Sequence, residues 1–183
     1  MIDFEKYSSG YRQDLIDAAK REWPLELDEA AKIISECKGI VWLFGNGGSG
    51  SLASHIATDL QLGGVAAQSL TDFAAISTYA NDWNWNSAFK LQLNQLVREQ
   101  DVVVVISTSG LSKNQWNLRK WIGEMPRIIT FSGKGKDNPL ASQGNVNVVI
   151  PSYSTGVIQD LQEAYLHSIC YWIMERDLEE EKK

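Results

Sequence analysis

The sequence predicts an α/β fold: a doubly wound, three-layer αβα arrangement with helices on both faces of a five-stranded parallel sheet, preceded by N-terminal helices and closed by a long buried C-terminal helix. Three observations carry this. Short apolar runs alternate with helical patterns along the chain, the signature of successive strand–helix–strand units. One run, Asp101-Val102-Val103-Val104-Val105-Ile106-Ser107, places five β-branched residues in a row without alternation, as expected for a central strand buried on both faces. The first run, Ile40-Val41-Trp42-Leu43-Phe44, empties into Gly45-Asn46-Gly47-Gly48-Ser49-Gly50-Ser51, a loop too rich in glycine to be strand or helix, and a helical pattern leaves it at Leu52.

The elements follow in order. Residues 3–38 read as two helices, an N-terminal extension in which Pro24 opens the second helix and Leu25, Leu27, Ala30, Ala31, Ile33 and Ile34 form its apolar stripe. Helices that precede the first strand are free to pack on a neighbouring subunit. Strand one spans 39–44, a helix carries His55, and strand two spans 64–70. The polar and aromatic stretch 71–85 reads as a loop, and Phe89, Leu93, Leu96 and Val97 mark a helix near 86–98. The central strand runs into Ser107-Thr108-Ser109-Gly110-Leu111-Ser112, with a helix expected over 113–123. Residues 127–132 and 146–150 supply strands four and five, separated by a glycine- and lysine-containing loop and a helical turn at Pro139. The last helix, 156–176, has apolar residues at most positions and is expected to be buried nearly all round, with 177–183 a frayed, solvated tail. The whole of 1–183 reads as one domain.

With 183 residues, 44% of them hydrophobic, the chain can bury a sizeable core. A net charge of −6 argues against nucleic acid or an anionic membrane as the main partner, so an anionic ligand must be held by local donors. No apolar run approaches a membrane span, and Met1-Ile2-Asp3-Phe4-Glu5-Lys6 lacks the order of a signal peptide, which predicts a cytoplasmic protein. Cys37 and Cys170 fall in helical patterns and read as buried free thiols.

The glycine loop predicts an anion, most simply a phosphate, because glycines allow close backbone approach and the following helix start offers unpaired N–H groups with partial positive charge. On that helix His55 and Asp59 lie four apart on one face, a spacing more often found in helix-stabilising pairs than in sites. Gly45-x-Gly47-x-x-Gly50 also fits a dinucleotide fingerprint, with Asp72 near the position of a ribose-binding carboxylate. Against a nucleotide cofactor stand the side-chain donors Asn46, Ser49 and Ser51 in the loop, and a second loop with four hydroxyls at Ser107, Thr108, Ser109 and Ser112. A phosphate-binding loop of the Lys-Ser/Thr type is excluded, because no such pair follows the glycines. Two loops from adjacent strands suit a phosphorylated sugar.

The Gly45–Ser49 loop with His55 after it, Asn81-Asp82, the Ser107–Ser112 loop, and Pro151-Ser152 with Thr155, Ile158, Gln159, Asp160 and then His167 resemble the phosphoheptose isomerase branch of the SIS (sugar isomerase) domains. The resemblance covers nearly the whole chain, with its motifs in the family's order. It implies that Asn46, Gly47, Gly48, Ser49, Ser107, Thr108, Ser109, Ser112 and Gln159 hold the substrate and its phosphate, with Asp82 on a sugar hydroxyl. It implies a catalytic centre of His55, Asp59, Gln159 and His167 that binds zinc in many members, and a homotetramer with sites at subunit interfaces. It further implies interconversion of sedoheptulose 7-phosphate and an aldoheptose 7-phosphate, a step of heptose and lipopolysaccharide biosynthesis. Three positions depart from the family pattern: Asp59 and Asp160 stand where it has glutamate, and Gln162 where a histidine is common.

Aldose–ketose interconversion needs a proton removed from a carbon beside a carbonyl and one returned to its neighbour. The expected base is Asp59, its partner His167, with His55 orienting or binding a metal. Five tryptophans, Trp83, Trp85, Trp116, Trp121 and Trp172, are expected to pack or to form subunit contacts, with Trp83 and Trp85 placed to cover a site mouth. The alternative is a non-catalytic SIS module that binds a sugar phosphate or a protein such as a replication initiator. Both histidines and a carboxylate at 59 favour the enzyme.

Overall fold

Five parallel strands form one sheet in the order β2-β1-β3-β4-β5: β1 (Val41–Gly45), β2 (Ala67–Ser69), β3 (Val102–Ile106), β4 (Arg127–Ser132) and β5 (Val146–Val149). A computed structural model of the chain describes residues 3–21, 24–124, 126–135 and 137–180. The predicted central strand is central: β3 lies between β1 and β4, with Val104 paired to Leu43 on one side and Ile129 on the other. All five of its residues are buried. Apolar runs without alternation form buried parallel strands because helices remove both faces from water.

Those helices make two layers. One apolar cluster packs α1 (Phe4–Ala19), α2 (Glu26–Ser35), α3 (Gly48–Leu62) and α7 (Thr155–Glu180) on one face of the sheet. The other gathers Phe89 and Leu93 of α5 (Ala88–Leu96), Leu118 of α6 (Leu118–Ile122) and, at its edge, Ile76 of α4 (Phe73–Asp82). The doubly wound α/β architecture is therefore the observed one. Helix α1 is capped by Asp3, whose carboxylate accepts from the backbone N–H of Glu5 at 3.0 Å.

Three expectations need correction. The stretch read as a loop contains α4, which starts where Asp72 accepts from the N–H of Ala75 at 2.8 Å. No residue of α4 is buried, and only Ile76 packs at the edge of the core. The helix expected over 113–123 is broken into a 3-10 turn, Lys113–Gln115, and α6, because Asn117 adopts the left-handed conformation between them. Helix α7 is not buried nearly all round. Val157, Ile158, Leu161, Gln162, Tyr165, Leu166, Ile169, Cys170 and Ile173 are buried, while Tyr171 and Trp172 are exposed on the other face. It also continues to Glu180 through part of the tail expected to fray, and 181–183 lie outside the described residues.

Both cysteines are free; Cys170 is buried as expected, whereas Cys37 is half-buried. Burial, then the charge of Asp59, pushes the Cys170 thiol up to about 12, and burial raises that of Cys37. No described helix is long and apolar enough to cross a membrane.

At the opposite end of the sheet from the loops, buried Asp101 joins β1 to β3. Its carboxylate accepts from the N–H of Ile40 (2.8 Å), the indole Nε1–H of Trp42 (2.9 Å) and the N–H of Arg98 (2.8 Å). Asp101→Ala leaves three donors unpaired and is expected to lower the unfolding free energy by about 3 kcal/mol, read by chemical denaturation. A loss under about 1 kcal/mol would show that water replaces the carboxylate.

Candidate active site

The end of β1 and the start of α3 are built on close backbone approach. A Cβ on Gly45 would lie 2.7 Å from the backbone carbon of Ser49 and 2.8 Å from the carbonyl oxygen of Ile106, so only glycine lets the loop fold against the end of β3. Gly47 caps α3 with φ of +54°. The side chains of Asn46 and Asn114 form a reciprocal amide pair, each Nδ2 donating to the other's Oδ1 at 2.9 Å. This pair ties the glycine loop to the segment after the hydroxyl loop. Asn114 escaped the sequence reading because a buried asparagine in a polar stretch carries no signal until the fold brings its partner up.

The hydroxyl loop is partly self-braced. Ser107 Oγ accepts from the N–H of Gly110 (3.1 Å), and Ser109 Oγ accepts from the N–H of Leu111 (3.2 Å). Each of these hydroxyls still has its own proton to donate, so both remain available to an anion. Ser107 is buried, whereas Thr108, Ser109 and Ser112 are half-buried. Ser112 opens the 3-10 turn without a capping bond from its side chain.

Helices α3 and α7 meet at the predicted catalytic residues. His55 Nε2 and His167 Nε2 are 2.9 Å apart, and Asp59 Oδ2 lies 3.6 Å from each. The imidazoles meet edge to face, and Asp59 is mostly buried between them. Gln159 lies elsewhere on α7, over the glycine loop: a Cβ on Gly48 would stand 2.5 Å from its Oε1 and 2.8 Å from its Nε2. A side chain at position 48 would displace the Gln159 amide from the glycine loop.

His55, Asp59 and His167 bring one donor atom each to within 4.8 Å of one another, and this group can hold a metal ion. Zinc–ligand bonds of about 2.0–2.1 Å in a tetrahedral site place donor atoms about 3.4 Å apart. The observed separations of 2.9 and 3.6 Å bracket that spacing, and two imidazoles with a carboxylate suit zinc.

Two acidic residues have different fates. Asp72, the carboxylate of the dinucleotide reading, is the cap of α4, so that reading loses its ribose partner. Asp82 is exposed at the end of α4 and accepts from Asn81 Nδ2 at 2.9 Å; no described contact joins it to either loop. Beside the glycine loop a cavity of about 310 Å³ is lined by Asn46, Gly47, Ser51, Ser54, Thr71 and Trp85, among others. Ser54, Ser69 and Thr71 close a triangle of hydroxyl contacts of 2.6–3.0 Å there. Ser54, Ser69 and Thr71 were not singled out in the sequence, where isolated hydroxyls on separate elements give no pattern.

The family model of the SIS domain matches residues 9–118. A phosphoheptose isomerase of Campylobacter jejuni subsp. jejuni serotype O:6 is 33% identical over 165 residues, covering 82% of this chain and 86% of the relative. One from Helicobacter pylori strain P12 is 33% identical over 74% of each chain. Among solved structures, the phosphoheptose isomerase of Neisseria gonorrhoeae superposes with a TM-score of 0.84 at 28% identity, covering 93% of this chain and 99% of that one. That of Francisella tularensis gives 0.84 at 26% identity over 96% and 100%.

Proposed function

The chain belongs to the SIS-domain family, in its phosphoheptose isomerase branch, and we propose that it interconverts a ketose phosphate and the corresponding aldose phosphate, with sedoheptulose 7-phosphate as the ketose. The observation that carries this is one carboxylate, Asp59, 3.6 Å from two imidazoles, on the same pair of helices that present the glycine loop and Gln159. A non-catalytic module has no need of that cluster, and the relatives named above are isomerases.

The substrate phosphate is held by the hydroxyls of Ser107, Thr108, Ser109 and Ser112, together with Ser49 and the backbone of Gly47 and Gly48. Asn46 and Gln159 contact the sugar, and Asp82 takes a sugar hydroxyl. Asp59 removes the proton from the carbon beside the carbonyl, which leaves an enediolate, and a proton returns to the neighbouring carbon. His167 exchanges the matching proton with the substrate oxygens, and His55 orients the pair. Zinc held by His55, Asp59 and His167, with Gln159 lying apart over the glycine loop, would supply a Lewis acid that polarises the substrate carbonyl. The chain acts in the cytoplasm as one domain within a homotetramer, its sites at subunit interfaces, where the exposed Tyr171 and Trp172 and the N-terminal helices offer contact surface.

The test is incubation with sedoheptulose 7-phosphate in deuterated water, with and without added zinc. An aldose carrying solvent deuterium at the carbon next to the new carbonyl is the expected product. Absence of both turnover and exchange with several ketose phosphates would sink the proposal.

A further inference from the structure

Gln162 sits on α7 between Gln159 and His167 and is fully buried. Its Nε2 donates to the backbone carbonyl of Ser107 at 2.9 Å, and its Oε1 has no hydrogen-bond partner. A buried amide with an unpaired acceptor gives back, as desolvation cost, part of what its one hydrogen bond contributes. What the amide supplies is a fixed connection between α7 and the first residue of the hydroxyl loop. The same device occurs once more: buried Gln115 donates from Nε2 to the carbonyl of Ile106 at 3.0 Å, and its Oε1 is likewise unpaired. Two successive carbonyls at the end of the central strand are thus each held by a buried glutamine.

Helix α7 is located by contacts at several levels. The Tyr11 hydroxyl donates to Asp160 Oδ2 at 2.6 Å, Gln159 lies over Gly48, and His167 meets His55 and Asp59. Of these contacts, the Gln162 amide is the one that reaches the hydroxyl loop. We propose that Gln162 is a positioning residue for the isomerase reaction: through Ser107 it sets the distance between the loop that holds the substrate phosphate and the His167–Asp59 pair that moves the proton. This rests on the isomerase reading. A phosphate seated in a correctly spaced loop presents the reacting carbons to the pair, and an error near 1 Å in that spacing costs up to about a hundredfold in rate.

Gln162→Met keeps the length and apolar volume and removes the donor. Gln162→His restores an N–H, and Gln162→Asn keeps the amide but is too short to reach Ser107. Each is assayed below its melting transition for kcat, KM and competitive inhibition by inorganic phosphate. For Gln162→Met and Gln162→Asn, kcat is expected to fall by about ten- to a hundredfold. The inhibition constant for inorganic phosphate stays within about threefold, because the loop keeps its own bonds at Ser107, Ser109 and Asn114. Gln162→His recovers most of the lost kcat. A merely structural role predicts a lower melting temperature with kcat unchanged in the folded protein, and that result overturns the inference. If Gln162→Met does not fold, full kcat in Gln162→Asn overturns it equally. Unaltered protein without turnover overturns the isomerase reading and this inference with it, whereas active unaltered protein beside equally active variants overturns this inference alone.

Discussion

Asp59→Asn is expected to lower kcat for ketose–aldose interconversion about a thousandfold, with the affinity for inorganic phosphate unchanged. The amide is nearly the size of the carboxylate and fits the same site, so packing between α3 and α7 survives. It cannot accept a proton from carbon, although it stands at the same 3.6 Å from the two imidazoles. General acid–base catalysis contributes about 10²–10⁴-fold, and Asp59 is the only carboxylate in the cluster, so the loss falls within that range. The measurement pairs steady-state turnover of sedoheptulose 7-phosphate with deuterium incorporation from solvent. Exchange persisting at the unaltered rate in Asp59→Asn would transfer the role of base to another residue. A matching loss in the binding of inorganic phosphate would show instead that Asp59 holds the two loops in place.

The sheet was legible because its strands are apolar runs, and a fully buried parallel strand needs little else. Val102–Ile106 announces itself by composition, and Arg127–Ser132 has the limits expected of it. Helix α4 was passed over because its polar and aromatic residues read as a loop, and its Asp72 cap fitted a dinucleotide site equally well. The break at Asn117 is a backbone event that asparagine permits but does not announce. Helix α7 was misjudged for a different reason: Tyr171 and Trp172 make its outer face apolar in sequence although they are exposed on the chain. Within the site, the spacing of His55 and Asp59 on one helix was readable from residue number alone, and so was the distance along α7 from Gln159 to His167. What brought His167 against His55 was the packing of α3 on α7, which no local pattern encodes. Asn114 and Gln162 belong to the same class, since their partners are amide or backbone groups 68 and 55 residues away in sequence.

Asp59→Glu is expected to raise kcat by about tenfold to a hundredfold, the reverse of what an altered catalytic carboxylate usually does. The aspartate oxygen stands 3.6 Å from both imidazole nitrogens, beyond the 2.7–3.2 Å range of a formed hydrogen bond. Helix α3 runs from Gly48 to Leu62 without interruption, so Asp59 is held in regular helical geometry. A glutamate at this position reaches about 1 Å further, enough to close the gap to either imidazole. The Asp59 side chain keeps 16% of its surface exposed, so the added methylene need not be taken up by the core alone. Comparing kcat and zinc affinity of Asp59→Glu with those of the unaltered chain reads both consequences. A rise in both means that the shorter acid limits proton transfer and metal binding together. A fall in kcat with unchanged zinc affinity would mean that the substrate sits deeper against α3, where the aspartate already makes contact.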